Sequence, residues 1–243
     1  MSEKINIDNI NYIQYGNDNG KDIVLLHGWG QNIEMMQPLG DLLSKNYHIT
    51  IIDLPGFGKS EEPDVVLNMM DYTEIVHALL IKLKVKKPTI VGHSFGGRIA
   101  ICYGASYKVE KLILCGAPCV KVKKNLTFKE KILKNAKKLP GMNKIADLAK
   151  NYIGSTDYKN ASPMMKNILV KVVNEDLSEY AKKIKVPVIL IWGENDEAVP
   201  LEEAKMLEKL LTDGALIVLP GTHYAYLENL YQVSAIISRF MEG

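Results

Sequence analysis

At 243 residues the chain suits one domain with a large core and an insertion, and its 47% hydrophobic and 24% charged residues are those of an ordinary soluble globular protein. No apolar run approaches the roughly 18 residues of a membrane span, and Met1 to Asn11 has no apolar core like that of a secretory leader, so stable membrane insertion is not expected and the cytoplasm is. Cys102, Cys115 and Cys119 have neither disulfide nor metal spacing and read as buried free thiols of a reducing compartment.

Taken in chain order, residues 4–7 and 10–15 are expected as a short N-terminal hairpin, and 22–26 and 48–53 as the first parallel strands. Tyr72, Ile75, Val76, Leu79, Leu80 and Leu83 then recur at three- and four-residue steps and predict an amphipathic helix. A strand at 88–91 runs into Gly92-His93-Ser94-Phe95-Gly96, after which a helix continues through Arg98, Ile99 and Tyr103. Further strands fall at 110–115, 186–192 and 215–219, with helices at 202–211 and through Leu230, Val233, Ile237 and Phe240. The near-continuous apolar character of these strands suits burial on both faces. Strand–helix alternation gives an α/β fold, a mainly parallel sheet of about eight strands with helices on both sides.

The alternation breaks at 119–185, which divides the chain into a core of 1–118 plus 186–243 and a helical insertion. Apolar stripes at Ile145, Leu148, Ala149 and Tyr152, and at Met165, Ile168, Leu169 and Val172, mark two helices there. Ser162 and Pro163 form a cap and first-turn pair for the second. Between Cys119 and Lys150 stand ten lysines against Glu130 and Asp147, although the whole chain nets only +2. Such a run reads first as a solvated helix face; as a functional feature it would steer an acidic partner. Too few aromatics interleave with the lysines for nucleic acid.

Gly92-His93-Ser94-Phe95-Gly96 places a serine on a sharp turn between strand and helix, with glycine two residues to either side where a Cβ would clash. Downstream, Asp196 follows the 186–192 strand and His223 follows the 215–219 strand. Upstream, His27-Gly28-Trp29-Gly30 follows one strand, and Asp53-Leu54-Pro55-Gly56-Phe57-Gly58 closes another. Five such segments in this order resemble the α/β-hydrolase family along nearly the whole chain, of the small-lid serine carboxylesterase type. The His-Gly-Trp-Gly loop resembles, more narrowly, that of the pimeloyl-acyl carrier protein methyl ester esterases. Serine at the elbow sets the chain apart from dehalogenases and epoxide hydrolases, which place aspartate there. The proline iminopeptidase loop, His-Gly-Gly-Pro-Gly, is not matched.

The resemblance implies a Ser94, Asp196 and His223 triad, in which His223 takes the serine proton and Asp196 fixes the imidazole tautomer. Glu194 and Glu197 are close rivals of Asp196; the family pattern of glycine, acid, any residue, aspartate selects Asp196. The oxyanion donors would be the backbone N–H groups of Trp29 and Phe95. The 119–185 insertion would be the lid, with no metal and no cofactor required. Asp53 is expected to brace the 56–58 turn and His27 the oxyanion loop, with His48 and His77 outside the chemistry. His93, Tyr224, Leu126 and Met165 are the candidates for substrate contact. The expected activity is hydrolysis of a small or medium acyl ester through an acyl-enzyme, with an acidic carrier protein as a possible partner of the basic lid. Thioesterase, acyltransferase and perhydrolase chemistry share the triad, and a receptor with a vestigial triad is the alternative outside enzymes.

Overall fold

The structure, a computed structural model, describes residues 6–120 and 161–243. Seven strands form one sheet in the order β1-β3-β2-β4-β5-β6-β7. They are β1 (Tyr12–Gly16), β2 (Asp22–Leu26), β3 (His48–Ile52), β4 (Thr89–His93), β5 (Leu112–Cys115), β6 (Val188–Gly193) and β7 (Gly214–Leu219). All neighbours pair in parallel except β1, which runs antiparallel to β3 with Tyr12 opposite Ile52. The fold is the expected doubly covered α/β architecture.

Period-two alternation divides the strand side chains between two cores. Val24, Leu26, Ile90, Leu112, Leu114, Leu190 and Trp192 point to one side. There they meet helices α2 (Met69–Lys82), α3 (Phe95–Ser106), α4 (Pro163–Val173) and α6 (Leu201–Leu210). Ile23, Leu25, Ile49, Ile51, Val91, Ile113, Ile189 and Ile191 point to the other, under α1 (Ile33–Leu43) and α8 (Leu230–Glu242). Two short helices, α5 (Ser178–Ala181) and α7 (Ala225–Glu228), complete the described elements.

Local chemistry sets the helix ends. Asn68 and Asp71 close a reciprocal capping box at the start of α2. Ser162 accepts the Met165 N–H and Pro163 opens α4, as the sequence predicts, so the stripe from Met165 to Val172 is helical and buried. The other predicted stripe, 145–152, the lysine-rich stretch from Lys121 onward and Leu126 lie outside the described residues.

The two ends of the sheet differ from expectation. Of the expected first strand at 4–7, residues 4 and 5 lie outside the described residues and Ile7 opens a 3-10 turn through Asn9, while β1 pairs with β3. The sheet has seven strands among the described residues. β7 is covered less fully than its apolar run implies, because it is an edge strand and Val218 is 43% exposed. Helix α1 was not expected, since Pro38 and Gly40 interrupt its pattern; its buried face of Ile33, Met36, Leu39 and Leu43 packs on the sheet nonetheless.

Candidate active site

The loops that matter leave the C-terminal ends of the parallel strands, where crevices form in such sheets. Between β4 and α3 the chain reverses at Ser94, whose φ of 48° is one of two positive values among described non-glycine residues. A left-handed backbone on a residue with a Cβ costs on the order of 1–3 kcal/mol. Neighbouring backbone enforces it: Ser94 N–H donates to Cys115 O at 2.9 Å, and Gly96 N–H donates to His27 O at 3.0 Å. A Cβ at Gly92 would stand 2.5 Å from Gly96 O, and one at Gly96 would collide with the Leu26 carbonyl. Both glycines are therefore obligatory, as the motif implies. Ser94 occupies the N-cap position of α3, yet its side chain makes no capping bond, which leaves the hydroxyl available.

His223 and Asp196 come together. Asp196 Oδ2 accepts from His223 Nδ1 at 2.8 Å, so Nδ1 carries the proton and Nε2 keeps its lone pair. Asp196 Oδ1 accepts the Ala198 and Val199 N–H groups at 3.0 and 2.8 Å, and its side chain is fully buried. Beneath it, Trp192 Nε1 donates to Val199 O at 2.8 Å, anchoring the acid's loop to β6. Glu194 and Glu197 both point to solvent, which leaves Asp196 as the acid that meets His223.

Gly116 joins this pair to the elbow. It follows Cys115, the acceptor of the Ser94 N–H, and adopts a φ of 54°. A Cβ there would lie 3.0 Å from His223 Nδ1 and 3.4 Å from Asp196 Oδ2, so the imidazole packs against bare backbone. The signal in sequence is only a glycine at a strand's end, and Gly116 was missed. Glu228 was missed too; it accepts the Thr222 N–H and hydroxyl at 2.7 Å each and secures the loop just before His223.

On the other side of the elbow, Phe95 is the first residue of α3, where helical amides have no intrahelical acceptor. Among the described residues neither the Phe95 nor the Trp29 N–H has a backbone or side-chain acceptor. His27 holds the loop that carries Trp29: Nδ1 donates to Gly28 O at 2.7 Å and Nε2 accepts the Leu54 N–H at 2.9 Å. Burial lowers the His27 pKa to about 4, so the ring is neutral and bridges as the expected brace. Asp53 accepts from Ile33 N, Lys59 N and Asn11 Nδ2 at 2.7, 2.8 and 2.7 Å, bracing the 56–58 turn as expected.

Of the substrate-contact candidates, Tyr224 is 39% exposed and sits beside His223, with ring centroids 5.7 Å apart. Met165 is buried against Gly56, on the core side of α4. His93 is a packed residue. It is fully buried, and its Nε2 faces the His223 carbonyl at 3.0 Å, so it supports the base loop from behind instead of reaching a substrate. Trp29, Phe57, Phe95 and Tyr72 make edge-to-face contacts at 4.8 to 6.3 Å and pack as an aromatic cluster beside the elbow, in which only Trp29 is half-buried and the other three are buried. His48 pairs with Asp22 and His77 stacks on Tyr107, both away from this cluster. All three cysteines are buried and free, and burial raises each thiol to about 12. No helix among the described residues is long and apolar enough to cross a membrane.

Comparison with known proteins agrees with this fold. The chain is 25% identical over 249 residues to the AB hydrolase superfamily protein YisY of Bacillus subtilis (strain 168), covering 91% of each. It is 26% identical over 230 residues to the pimeloyl-[acyl-carrier protein] methyl ester esterase of Aliivibrio fischeri (strain MJ11), covering 85% of this chain and 87% of that protein. The esterase EaEST from Exiguobacterium antarcticum superimposes with a TM-score of 0.77 at 21% identity, and the enol-lactonase from Burkholderia xenovorans LB400 with 0.77 at 20%. Each pairing covers 96% of both chains and shows a shared fold. A sequence model of the alpha/beta hydrolase fold matches residues 22–150, more than half of the chain, which therefore belongs to the α/β-hydrolase fold family and is a hydrolase.

Proposed function

We propose that the protein is a serine carboxylesterase that cleaves small or medium acyl esters through an acyl-enzyme. The observation that carries this reading is the 2.8 Å His223–Asp196 pair set against Gly116, one residue beyond the acceptor of the Ser94 amide. A serine hydroxyl is a poor nucleophile at neutral pH and needs such a base. In the proposed first step His223 Nε2 takes the Ser94 proton as Oγ attacks the ester carbonyl. The negative charge moves to the carbonyl oxygen, where the Trp29 and Phe95 N–H groups receive it. Collapse expels the alcohol, which takes its proton from His223. Water then attacks the acyl-serine with His223 again as base, releasing the acid and restoring Ser94. Asp196 keeps the imidazole in the tautomer each step requires and stabilises the imidazolium between steps.

The half-buried Trp29 ring, backed by Phe57 and Phe95, supports an apolar acyl group beside the nucleophile. The residues bounded by 119–185 serve in this reading as the lid. Its ten lysines between Cys119 and Lys150, together with the similarity to an esterase named for a carrier-bound ester, support an acidic carrier protein as the bearer of the acyl group. Charge reversal at Lys121, Lys123 and Lys124 then lowers activity on carrier-bound esters and spares small ones; an equal effect on both removes the carrier from the proposal.

The test is hydrolysis of a p-nitrophenyl ester series of rising acyl length, wild type against Ser94→Ala. Activity confined to the wild type is expected, with the preferred length measuring the acyl site. Full activity in Ser94→Ala, or none in the wild type on any ester, overturns the esterase reading. In the latter case acyl-coenzyme A thioesters and acyl acceptors are the next substrates to assay.

A further inference from the structure

The hydrogen bonds that fix the oxyanion loop and those that fix the base loop meet at one side chain. Gln31, just before α1, presents Oε1 to the Gly28 N–H at 3.0 Å and donates from Nε2 to Tyr224 Oη at 3.3 Å. Its own backbone N–H donates to Gly28 O at 3.2 Å, and that same oxygen accepts from His27 Nδ1. Both polar groups of Gly28 are thus taken, each by Gln31, and the next amide along the chain is that of Trp29. Space is equally restricted: a Cβ at Gly28 would stand 3.0 Å from Gln31 Oε1 and 2.9 Å from His93 Nδ1.

His93 closes the circuit from below. Its Nε2 faces a carbonyl, that of His223, so this nitrogen must donate. A neutral imidazole has one N–H, and burial with the neighbouring His223 pushes the His93 pKa down to about 3. Nδ1 is therefore bare at neutral pH, and although it stands 3.2 Å from Gln31 Oε1 it offers that oxygen no proton. Oε1 is left to the Gly28 N–H. Turning the carboxamide over would give Nδ1 a donor but set an NH2 group against the Gly28 N–H, an unmatched pair of donors.

We propose that Gln31 is a positioning residue that couples the two halves of the site, holding the Trp29 amide through Gly28 and the His223 loop through Tyr224. The proposal rests on the esterase reading above. Gln31 touches no reacting atom. Its effect is to keep one oxyanion donor and the base in a fixed mutual geometry, where displacement of the order of 1 Å is costly in rate. A carboxamide suits the place because it offers an acceptor to Gly28 and a donor to Tyr224 from one planar group.

The test compares Gln31→Leu and Gln31→Glu with the wild type on the ester the wild type hydrolyses best. Gln31→Leu removes both contacts at similar volume, whereas Gln31→Glu keeps an acceptor for Gly28. The expected result for Gln31→Leu is a fall in kcat on the order of tenfold or more. KM stays near wild type, Tm falls only by the modest cost of leaving the Gly28 N–H unpaired, and affinity for a trifluoromethyl ketone falls in parallel with kcat. Gln31→Glu, which keeps the acceptor for Gly28 but loses the donor to Tyr224, recovers part of the loss. Wild-type kcat in Gln31→Leu, a loss in KM alone, or equal impairment of the two variants overturns the proposal. A wild type inactive on every ester overturns the esterase reading instead, so the two failures are distinguishable.

Discussion

At the elbow, Ser94 is held by crowded backbone: two glycines with no room for a methyl group, and main-chain bonds to Cys115 and His27. The loop that carries His223 also takes main-chain contacts, Asn195 N–H on Gly221 O and Gly193 against the Thr222 carbonyl. Side chains set its working end, with Asp196 on the ring, Glu228 on Thr222 and His93 on the His223 carbonyl. The difference decides how each fails. Backbone crowding has no intermediate setting, so elbow substitutions should break the structure outright. Side-chain hydrogen bonds can be removed one at a time, so the base loop should lose function in graded steps, some of them dependent on pH.

The largest effect is expected from Gly96→Ala, whose new Cβ meets the Leu26 carbonyl. Main chain on both sides cannot yield, so denaturation should show a loss of about 3 kcal/mol or more, together with loss of activity. Asp196→Asn keeps the shape of its loop but no longer selects the His223 tautomer. A fall in kcat of roughly 10³–10⁴-fold at nearly unchanged Tm is expected from steady-state kinetics and thermal unfolding. Gly116→Ala forces a Cβ to 3.0 Å from His223 Nδ1 at a φ of 54°, and should lower kcat on the order of 10- to 100-fold by displacing the ring. Glu228→Gln weakens two bonds to Thr222 without emptying the site; a loss of about 1 kcal/mol in stability and a few-fold in kcat is expected.

The smallest effect is on the pH dependence of stability. Unfolded imidazoles take up a proton near 6.5, whereas the folded protein holds His27 off to about 4 and His93 to about 3. The unfolded state thus binds more protons within that window, and stability falls as pH drops from 6.5 toward 3; above 6.5 these groups contribute no slope. His93→Gln should reduce the slope by up to one proton when urea unfolding is compared between pH 7 and pH 4.5. An unchanged slope would show that His93 is not a neutral buried partner of the His223 loop.

The same contrast explains what the sequence discloses. Backbone crowding leaves a mark in residue type, because only glycine fits at 92 and 96, and the elbow and its strand are readable directly. Long apolar runs likewise mark β2 to β6. Contacts made through space by ordinary polar residues leave no such mark: Gln31 on Gly28, Glu228 on Thr222 and Arg98 on the Pro118, Val172 and Glu175 carbonyls have no local pattern. His93 is ambiguous in sequence for a related reason, since its neighbour is the nucleophile candidate while β4 alternation turns the ring under His223. Helix α1 is hidden by Pro38, which stands in the helix interior where proline has no N–H to donate and ordinarily marks a break. The first strand is misread because its partner, β3, lies more than thirty residues downstream.

The measurement that bears most directly on the proposed chemistry is reaction with a fluorophosphonate, followed by peptide mass spectrometry. One adduct per chain on Ser94 is expected, with the labelling rate falling on the order of 10³-fold or more in His223→Ala. No labelling of Ser94, or labelling at an undiminished rate without His223, would contradict a nucleophile activated by the His223–Asp196 pair.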